Sequence, residues 1–434
     1  MLGGQVDCKR KDKSRARKDK RKPSKRKLGI TEPEFVEQVM SAGGTLALAG
    51  GWPRDIVAGR EPKDKDYMVA GLGEQEFEEA FPKAKRLGKS FPVYMLYVDG
   101  EPCHVAMASK PDESGCWQSG ADISFEEALA CRETTMNSLG LVLPGKEWLD
   151  PCGGVADIKQ GIVRASSVFF SRNPIHALRA ARQAAEFGYT IEPVTLNYMQ
   201  ECGTGIVELA RERQLAELKK AMVLEHPEKY FEWLRKAGIL EATFPELASL
   251  IGSAGGTENL ADRDAYGLSL LYLSRMAMET ENAIWRFAAL ALNLGIGPAC
   301  EEGQTETERG LDQLALWQER MMLPAKWVRA GTTAVKGHAY ALHLHEAGEI
   351  LDFLEAVKFS VLGFNGFRAL LRTMGATVPL YLMRGEDLLG TVFSIHRKKH
   401  PRRLSAEEID VWFRQAREEV VSKRLAEWEQ GCAN

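Results

Sequence analysis

The sequence predicts an α+β chain, a small mixed-sheet head followed by a longer all-helical part. Three observations carry this. In roughly the first third, short apolar runs alternate with glycine and Asp-Gly turns. From Asn173 onward, apolar residues instead recur at three- and four-residue spacing. At 434 residues the chain is too long for one small core and suits roughly two to four domains.

Composition is that of a globular protein, with 44% hydrophobic and 27% charged residues. No apolar run approaches the roughly 20 residues a membrane-crossing helix needs, so no membrane partner is expected. The net charge of −3 conceals an asymmetry. Residues 1–27 carry 13 Lys/Arg and three Asp, a formal +10, while the remainder carries 44 Lys/Arg and 57 Asp/Glu, a formal −13. A segment so basic and so poor in apolar residues cannot bury enough surface to fold alone. Residues 1–28 are therefore expected to be a disordered basic tail, either a non-specific hold on nucleic-acid phosphates or a solubilising or targeting segment. The eight cysteines are scattered without a CxxC pair. That argues against structural zinc and a disulfide framework, and favours a reducing cytoplasmic location.

The elements follow in order. "TEPEFVEQVMSAGG" reads as a helix capped by Thr31, acidic in its first turn and closed by glycines. "TLALAGG" is a buried strand, and "PRDIVAGR" a short helix with Pro53 in its first turn. "DYMVAG" is a second strand, and "GEQEFEEAFPKA" an acidic amphipathic helix. "FPVYMLYVDGEPCHVAMAS" is a hairpin turning at Asp99-Gly100. The head is placed at 29–167. "NPIHALRAARQAAEFGYTIEP" then reads as a helix closed by Gly188, and residues 211–247 as two or three more, giving a second unit at 168–257. Residues 258–434 read as helical, with loops near Gly295–Gln304 and Arg384–Thr391.

The chemistry concentrates in "GGWPRDIVAGREPKDKD". In a strand, residues two apart point to the same side, so Asp64 and Asp66 can present two carboxylates to one point. Such a pair suits hard Mg²⁺ ions, which take oxygen ligands and leave room for phosphate oxygens. The Gly50-Gly51 turn leading into a helix offers backbone N–H groups to a triphosphate. Together these point to nucleotidyl transfer.

The ordered set also resembles a known family, the class II tRNA nucleotidyltransferases (CCA-adding enzymes) and bacterial poly(A) polymerases. "GGWPRD" followed by "PKDKD" is similar to that family's motif A. "CRETTMN" resembles motif B, "DPCGGVADIKQGIVR" the segment that follows it, and "RNPIHALRAAR" the motif D helix. The resemblance spans about residues 44–250. It implies a polymerase-β-like nucleotidyltransferase head on helical neck, body and tail domains. It implies that Asp64 and Asp66 bind catalytic Mg²⁺, that Gly50, Gly51 and Arg54 contact the triphosphate, and that Asp55 supports the turn. Arg132, Glu133 and Asn137 fall in motif B, which holds triphosphate and sugar. Asn173 and His176 fall where the family reads the base, and Arg179 and Arg182 on the helix facing the nucleotide. The implied substrates are CTP, ATP and the 3′ end of tRNA or another RNA.

The chain departs from the pattern at several of these positions. Motif B's two arginines and aspartate are Cys131, Arg132 and Glu133. The acidic position of the hairpin is His104, and the base-reading Asp and Arg are Asn173 and His176. A metal-binding His-Asp of the hydrolase domain found in bacterial relatives falls on Leu292 and Asn293, so residues 258–434 are expected to be a helical remnant without hydrolase activity. His338, His343 and His345 are not expected to hold a metal, because His343 and His345 sit two apart and do not face one way on a helix. The expected function is addition of CCA, or part of it, to tRNA. A poly(A)-type adenylyltransferase and a catalytically silent RNA-binding relative remain open alternatives.

Overall fold

The computed structural model describes residues 29–87, 92–112, 116–255, 263–297, 303–396 and 404–432. The basic tail at 1–28, with Cys8, lies outside the described residues, as does Cys300.

The head opens with α1 (Glu32–Ser41), which begins as expected in a Thr31–Glu34 capping box. Then come β1 (Thr45–Ala49), α2 (Gly51–Val57), β2 (Asp66–Ala70), α3 (Glu74–Ala80) and β3 (Lys85–Leu87). β4 (Val93–Val98) and β5 (Glu101–Met107) form the expected hairpin, with Asp99 and Gly100 both at positive φ. Two short strands, β6 (Ser109–Pro111) and β7 (Trp117–Ser119), form a separate ribbon before α4 (Phe125–Ala130). β8 (Gly140–Leu143) and β9 (Glu147–Leu149) complete a seven-stranded mixed sheet ordered β3-β4-β5-β2-β1-β8-β9. Within it β2 and β5 run parallel.

Alternation along the strands builds two unlike faces. Leu46, Leu48, Tyr67, Val69 and Tyr94 pack under Phe35 and Val39 of α1 and Phe77 of α3. Each large side chain buried there contributes about 1.5–3 kcal/mol. The opposite face carries Ala47, Ala49, Met68 and Ala70, only partly covered by Phe125 and Leu129 of α4. Small residues on the second face leave room above the sheet, and the functional groups gather there.

The helical part begins with α5 (Gly154–Gln160) and α6 (Ile175–Phe187), the latter closed by Gly188 at φ 70°. Ala177, Ala180, Ala181 and Ala184 are buried and let α6 pack closely on its neighbours. After α7 (Pro193–Glu201) and α8 (Gly203–Glu208) come α9 (Arg211–Ala221) and α10 (Glu228–Lys236). Phe231, Phe244, Phe287, Trp317 and Trp327 belong to one aromatic core that runs from there into the C-terminal helices. A second core gathers Phe353, Phe367, Leu382 and Leu389.

The loop expected at Arg384–Thr391 is instead a helix, Gly385–Phe393. Gly385 and Gly390 weaken its intrinsic propensity. Burial of Leu388, Leu389 and Val392 on one face outweighs that, and Glu386 and Asp387 suit its N-terminal turn. Asn293 is buried, and its amide Nδ2 lies 3.2 Å from Ser269 Oγ. None of the helices described is long and apolar enough to cross a membrane.

Candidate active site

The room above the small-residue face is a cavity of about 880 Å³, a size that suits a nucleotide. Ala49, Met68 and Ala106 form its floor, and Asp66 and His104 stand on the same face. The opposite wall is Asn173, His176 and Arg179 from the start of α6, with Arg213 from α9. Arg132 and Glu133 lie between, and Trp117 of β7 adds an aromatic edge.

β2 begins at Asp66, so Asp64 sits on the extended segment that enters the strand and is exposed to solvent. Glu32 of α1 anchors this segment, accepting hydrogen bonds from Lys65 Nζ at 2.8 Å and Tyr67 Oη at 2.6 Å. Asp66 lines the cavity and Asp64 does not. Among the described residues no three His, Cys, Asp or Glu side chains converge on one point. The donor set nevertheless fits a divalent cation of the kind that takes one or two carboxylates from protein and its other ligands from substrate phosphates and water.

Gly50 acts through its conformation. Its φ is 74°, and a Cβ there would lie 2.7 Å from Nη2 of Arg132. Its own N–H donates to Leu139 C=O at 3.0 Å. Gly50→Ala is expected to displace Arg132 and lower incorporation by about 10²-fold, since misplacements near 1 Å cost that much. Steady-state incorporation of CTP, with thermal melting as the folding control, checks this. An unchanged rate would show that Arg132 does not need its place over the turn.

Arg54 is buried and already engaged. Its Nε and Nη2 donate to Asp55 Oδ1 at 2.8 and 2.7 Å, its Nη1 donates to Asn137 Oδ1 at 2.9 Å, and Phe187 stacks 4.8 Å away. Asn137 Nδ2 in turn donates to Glu133 Oε1 at 2.7 Å, joined there by Gln183 Nε2 at 3.1 Å. Arg54, Asp55 and Asn137 thus form a scaffold behind the cavity rather than part of its wall. Arg132 does line the cavity, and its Nε is buried with no hydrogen-bond partner among the described residues.

Burial pushes the Glu133 carboxyl up, but Arg179, Arg132, His176 and the Asn137 hydrogen bond outweigh it and hold it well below the usual range. Glu133 is therefore a buried anion. Burial, with Arg179 and Arg213 nearby, pushes His176 below its ordinary value despite opposing pulls from Glu133 and the Phe170 carbonyl. His176 is thus neutral near pH 7. Its Nδ1 lies 3.1 Å from Phe170 C=O and donates to it, which leaves Nε2 as an acceptor.

Arg182 is drawn into a different role. It donates to Glu217 of α9 at 2.7 Å and to Glu186 at 2.8 Å, and does not line the cavity. Arg213 and Trp117 do line it, although sequence reasoning passed over both. Burial and the nearby Arg179 push the Arg213 guanidinium below its ordinary value, against an opposing pull from Glu217.

Residues 46–164 match the family described as "Poly A polymerase head domain", and residues 188–251 match "Probable RNA and SrmB- binding site of polymerase A". The Multifunctional CCA protein of Nitrosococcus oceani is 31% identical over 71% of this chain and 79% of its own length. The chain belongs to the CCA-protein and poly(A) polymerase family. Members of this family are nucleotidyltransferases and are generally metal-dependent. The Multifunctional CCA protein of Pasteurella multocida is 33% identical over 58% of this chain, and the match spans only 62% of that relative's length. The CCA-adding enzyme of Bacillus stearothermophilus, solved in complex with CTP, shares the fold with a TM-score of 0.61 at 19% identity. That likeness covers 92% of this chain and 98% of that one. The mixed-sheet head and helical remainder expected from the sequence are thus the family's architecture.

Proposed function

We propose that this protein adds CCA, or part of it, to tRNA 3′ ends from CTP and ATP. The observation that carries the reading is the cavity itself, with the carboxylate of Asp66 on one side and Arg132, Arg179 and Arg213 on the other. A polyanion whose reacting phosphate must meet a metal-binding carboxylate fits that polarity. The RNA 3′-hydroxyl oxygen bonds to the α-phosphorus, the bond to the β-phosphate oxygen breaks, and pyrophosphate leaves. Mg²⁺ held by Asp64 and Asp66, when bound, would lower the pKa of the hydroxyl and offset charge on the phosphates. Arg132, Arg179 and Arg213 hold the triphosphate by charge-assisted hydrogen bonds. Gly50 keeps Arg132 in place, and the Arg54–Asn137–Glu133 chain keeps the turn and the cavity wall in register. His176 Nε2 accepts from the exocyclic amino group that cytosine and adenine share, with the Asn173 amide beside it.

Incorporation of labelled CTP and ATP, separately and together, tests this on tRNA ending before CCA, tRNA ending in CC, and generic single-stranded RNA. Ordered addition on tRNA alone is the expected result. Addition of A alone to any RNA would replace the reading with an adenylyltransferase. No addition by folded protein that still binds tRNA would replace it with a silent RNA-binding relative.

A further inference from the structure

The sheet register extends the cavity floor sideways. Met68 pairs with Ala106, Ala106 with Val93, and Val93 with Leu87, so the four form one row running out to the β3 edge of the sheet. Paired residues project to the same face, and all four line the cavity. Leu87 and Val93, at the outer end, are partly buried and make an apolar shelf. Trp117, in the ribbon that follows β5, lines the same cavity while 39% exposed. That ribbon is tied down on two sides. Ser119 Oγ donates to Glu74 of α3 at 2.8 Å, and Lys110 Nζ donates to Glu127 of α4 at 2.7 Å. Asp112 holds its turn, accepting from Cys116 N–H at 2.9 Å and Gln118 Nε2 at 2.7 Å, and Pro111 pairs with Trp117 across it. An indole anchored in this way loses little freedom when a planar ligand settles on it.

We propose that Trp117 is the stacking platform for the terminal base of the RNA acceptor, with Leu87 and Val93 as the apolar floor beside it. The proposal rests on the preceding reading, which places the α-phosphate at Asp66. That reading gives the polar wall of Asn173, His176, Arg179 and Arg213 to the base and triphosphate of the incoming nucleotide. In an in-line displacement the attacking hydroxyl approaches opposite the leaving pyrophosphate, so the nucleoside that carries it lies across Asp66 from the arginines. There the cavity offers Leu87, Val93 and Trp117, which carry no charge and suit the face of a base. Stacking is also indifferent to base identity, because every base has a π face. The acceptor's last base changes as CCA is built, from that of the unfinished tRNA to C and then C again. A platform without a hydrogen-bond code serves each of these ends, whereas the incoming base must be told apart from others by polar groups.

The test uses the full chain and a tRNA that lacks CCA. Its last nucleotide is 3′-deoxy, so that no turnover occurs, and carries either its base or none. Binding is followed by fluorescence anisotropy with CTP present. Removing the base should weaken wild-type binding about tenfold, within the range found when a stacking aromatic is replaced by alanine. Trp117→Ala should weaken binding of the intact acceptor by a similar factor and that of the abasic acceptor no further, so the two losses overlap rather than multiply. Trp117→Phe should restore most of the affinity together with its dependence on the base. CTP affinity without RNA, read by equilibrium dialysis, should be the same for all three proteins. The indole is partly exposed, so the variants should melt as the wild type does. Losses that multiply, or unchanged binding in Trp117→Ala, would overturn the proposal. So would a loss of CTP affinity as large as the loss for RNA, which would give the indole to the incoming base. Binding is read without catalysis, so a protein that transfers no nucleotide still gives an answer. If Asp64→Ala with Asp66→Ala incorporates nucleotide as the wild type does, the underlying placement of the α-phosphate fails instead.

Discussion

Replacing Asp64 and Asp66 together by alanine is expected to abolish nucleotide incorporation while leaving the chain folded. The two properties separate because of where the residues stand. Asp66 is the first residue of β2 and presents its carboxylate to the cavity, while the apolar residues that hold the strand, Tyr67 and Val69, point to the other face. The carboxylates contribute no apolar burial, and surface changes of this kind usually move stability by about 0.5 kcal/mol or less. The rate is another matter. On the proposed reading these groups hold the Mg²⁺ that offsets the charge building on the α-phosphate, and the double variant removes both. Loss of a single such stabilising group costs on the order of 10²–10³-fold, and here two go together. Single-turnover incorporation of labelled CTP, beside a circular dichroism melt, measures both effects. A double variant that incorporates within tenfold of wild type would place the reaction elsewhere.

Much of the head was legible because its signals are local. A capping box, an Asp-Gly hairpin turn and a glycine at a helix end each fix a few residues of backbone whatever lies around them. Thr31, Asp99-Gly100 and Gly188 all behave as their sequences imply. The helix at Gly385–Phe393 was not legible, because what makes it a helix is the distant surface that buries Leu388 and Leu389.

The site divides in the same way. That Asp66, Arg132, Asn173, His176 and Arg179 would share one cavity follows from their motifs, and they do share it. The motifs do not say which arginine meets the ligand. Arg54 and Arg182 look as available as Arg179, yet Asn137 and Asp55 engage the first and Glu217 and Glu186 the second at hydrogen-bond distance. Arg179 instead lines the cavity and makes longer contacts, to Glu217 at 3.6 Å and Glu133 at 3.9 Å. Their partners lie up to 83 residues away in sequence. Arg213 lines the cavity, and Glu217, one helical turn further on, ties α9 to α6 through Arg182. Nothing in the local pattern around either residue distinguishes it from a solvated charge.

Glu133 is where scaffold and cavity meet, and its removal should have the largest effect on stability. Its side chain is 8% exposed. Asn137 and Gln183 donate to one carboxylate oxygen, and Arg179 stands 3.9 Å from the other. Glu133→Gln keeps the shape and removes the charge. The new amide then turns N–H groups toward Arg179, so donor faces cation and the surrounding charges lose their counter-ion. Breaking a buried charge arrangement on one side costs about 3–5 kcal/mol.

The pH dependence identifies charge as the cause. The folded carboxyl ionises well below its ordinary value of 4.5, so the unfolded chain binds more protons throughout the interval between the two. Glu133 therefore contributes stability that is fully present above that ordinary value and declines as pH falls through it toward the folded value. The gap between wild type and Glu133→Gln, measured by urea unfolding, should be constant from pH 7 to 6 and shrink steadily below about pH 4.5. A gap that stays constant down to pH 3 would mean the variant fails through packing alone. Because Asn137 links Glu133 to Arg54, the same variant should also loosen the glycine turn. It should therefore lose incorporation at pH 7 even at temperatures where it remains folded, which loss of stability by itself would not produce.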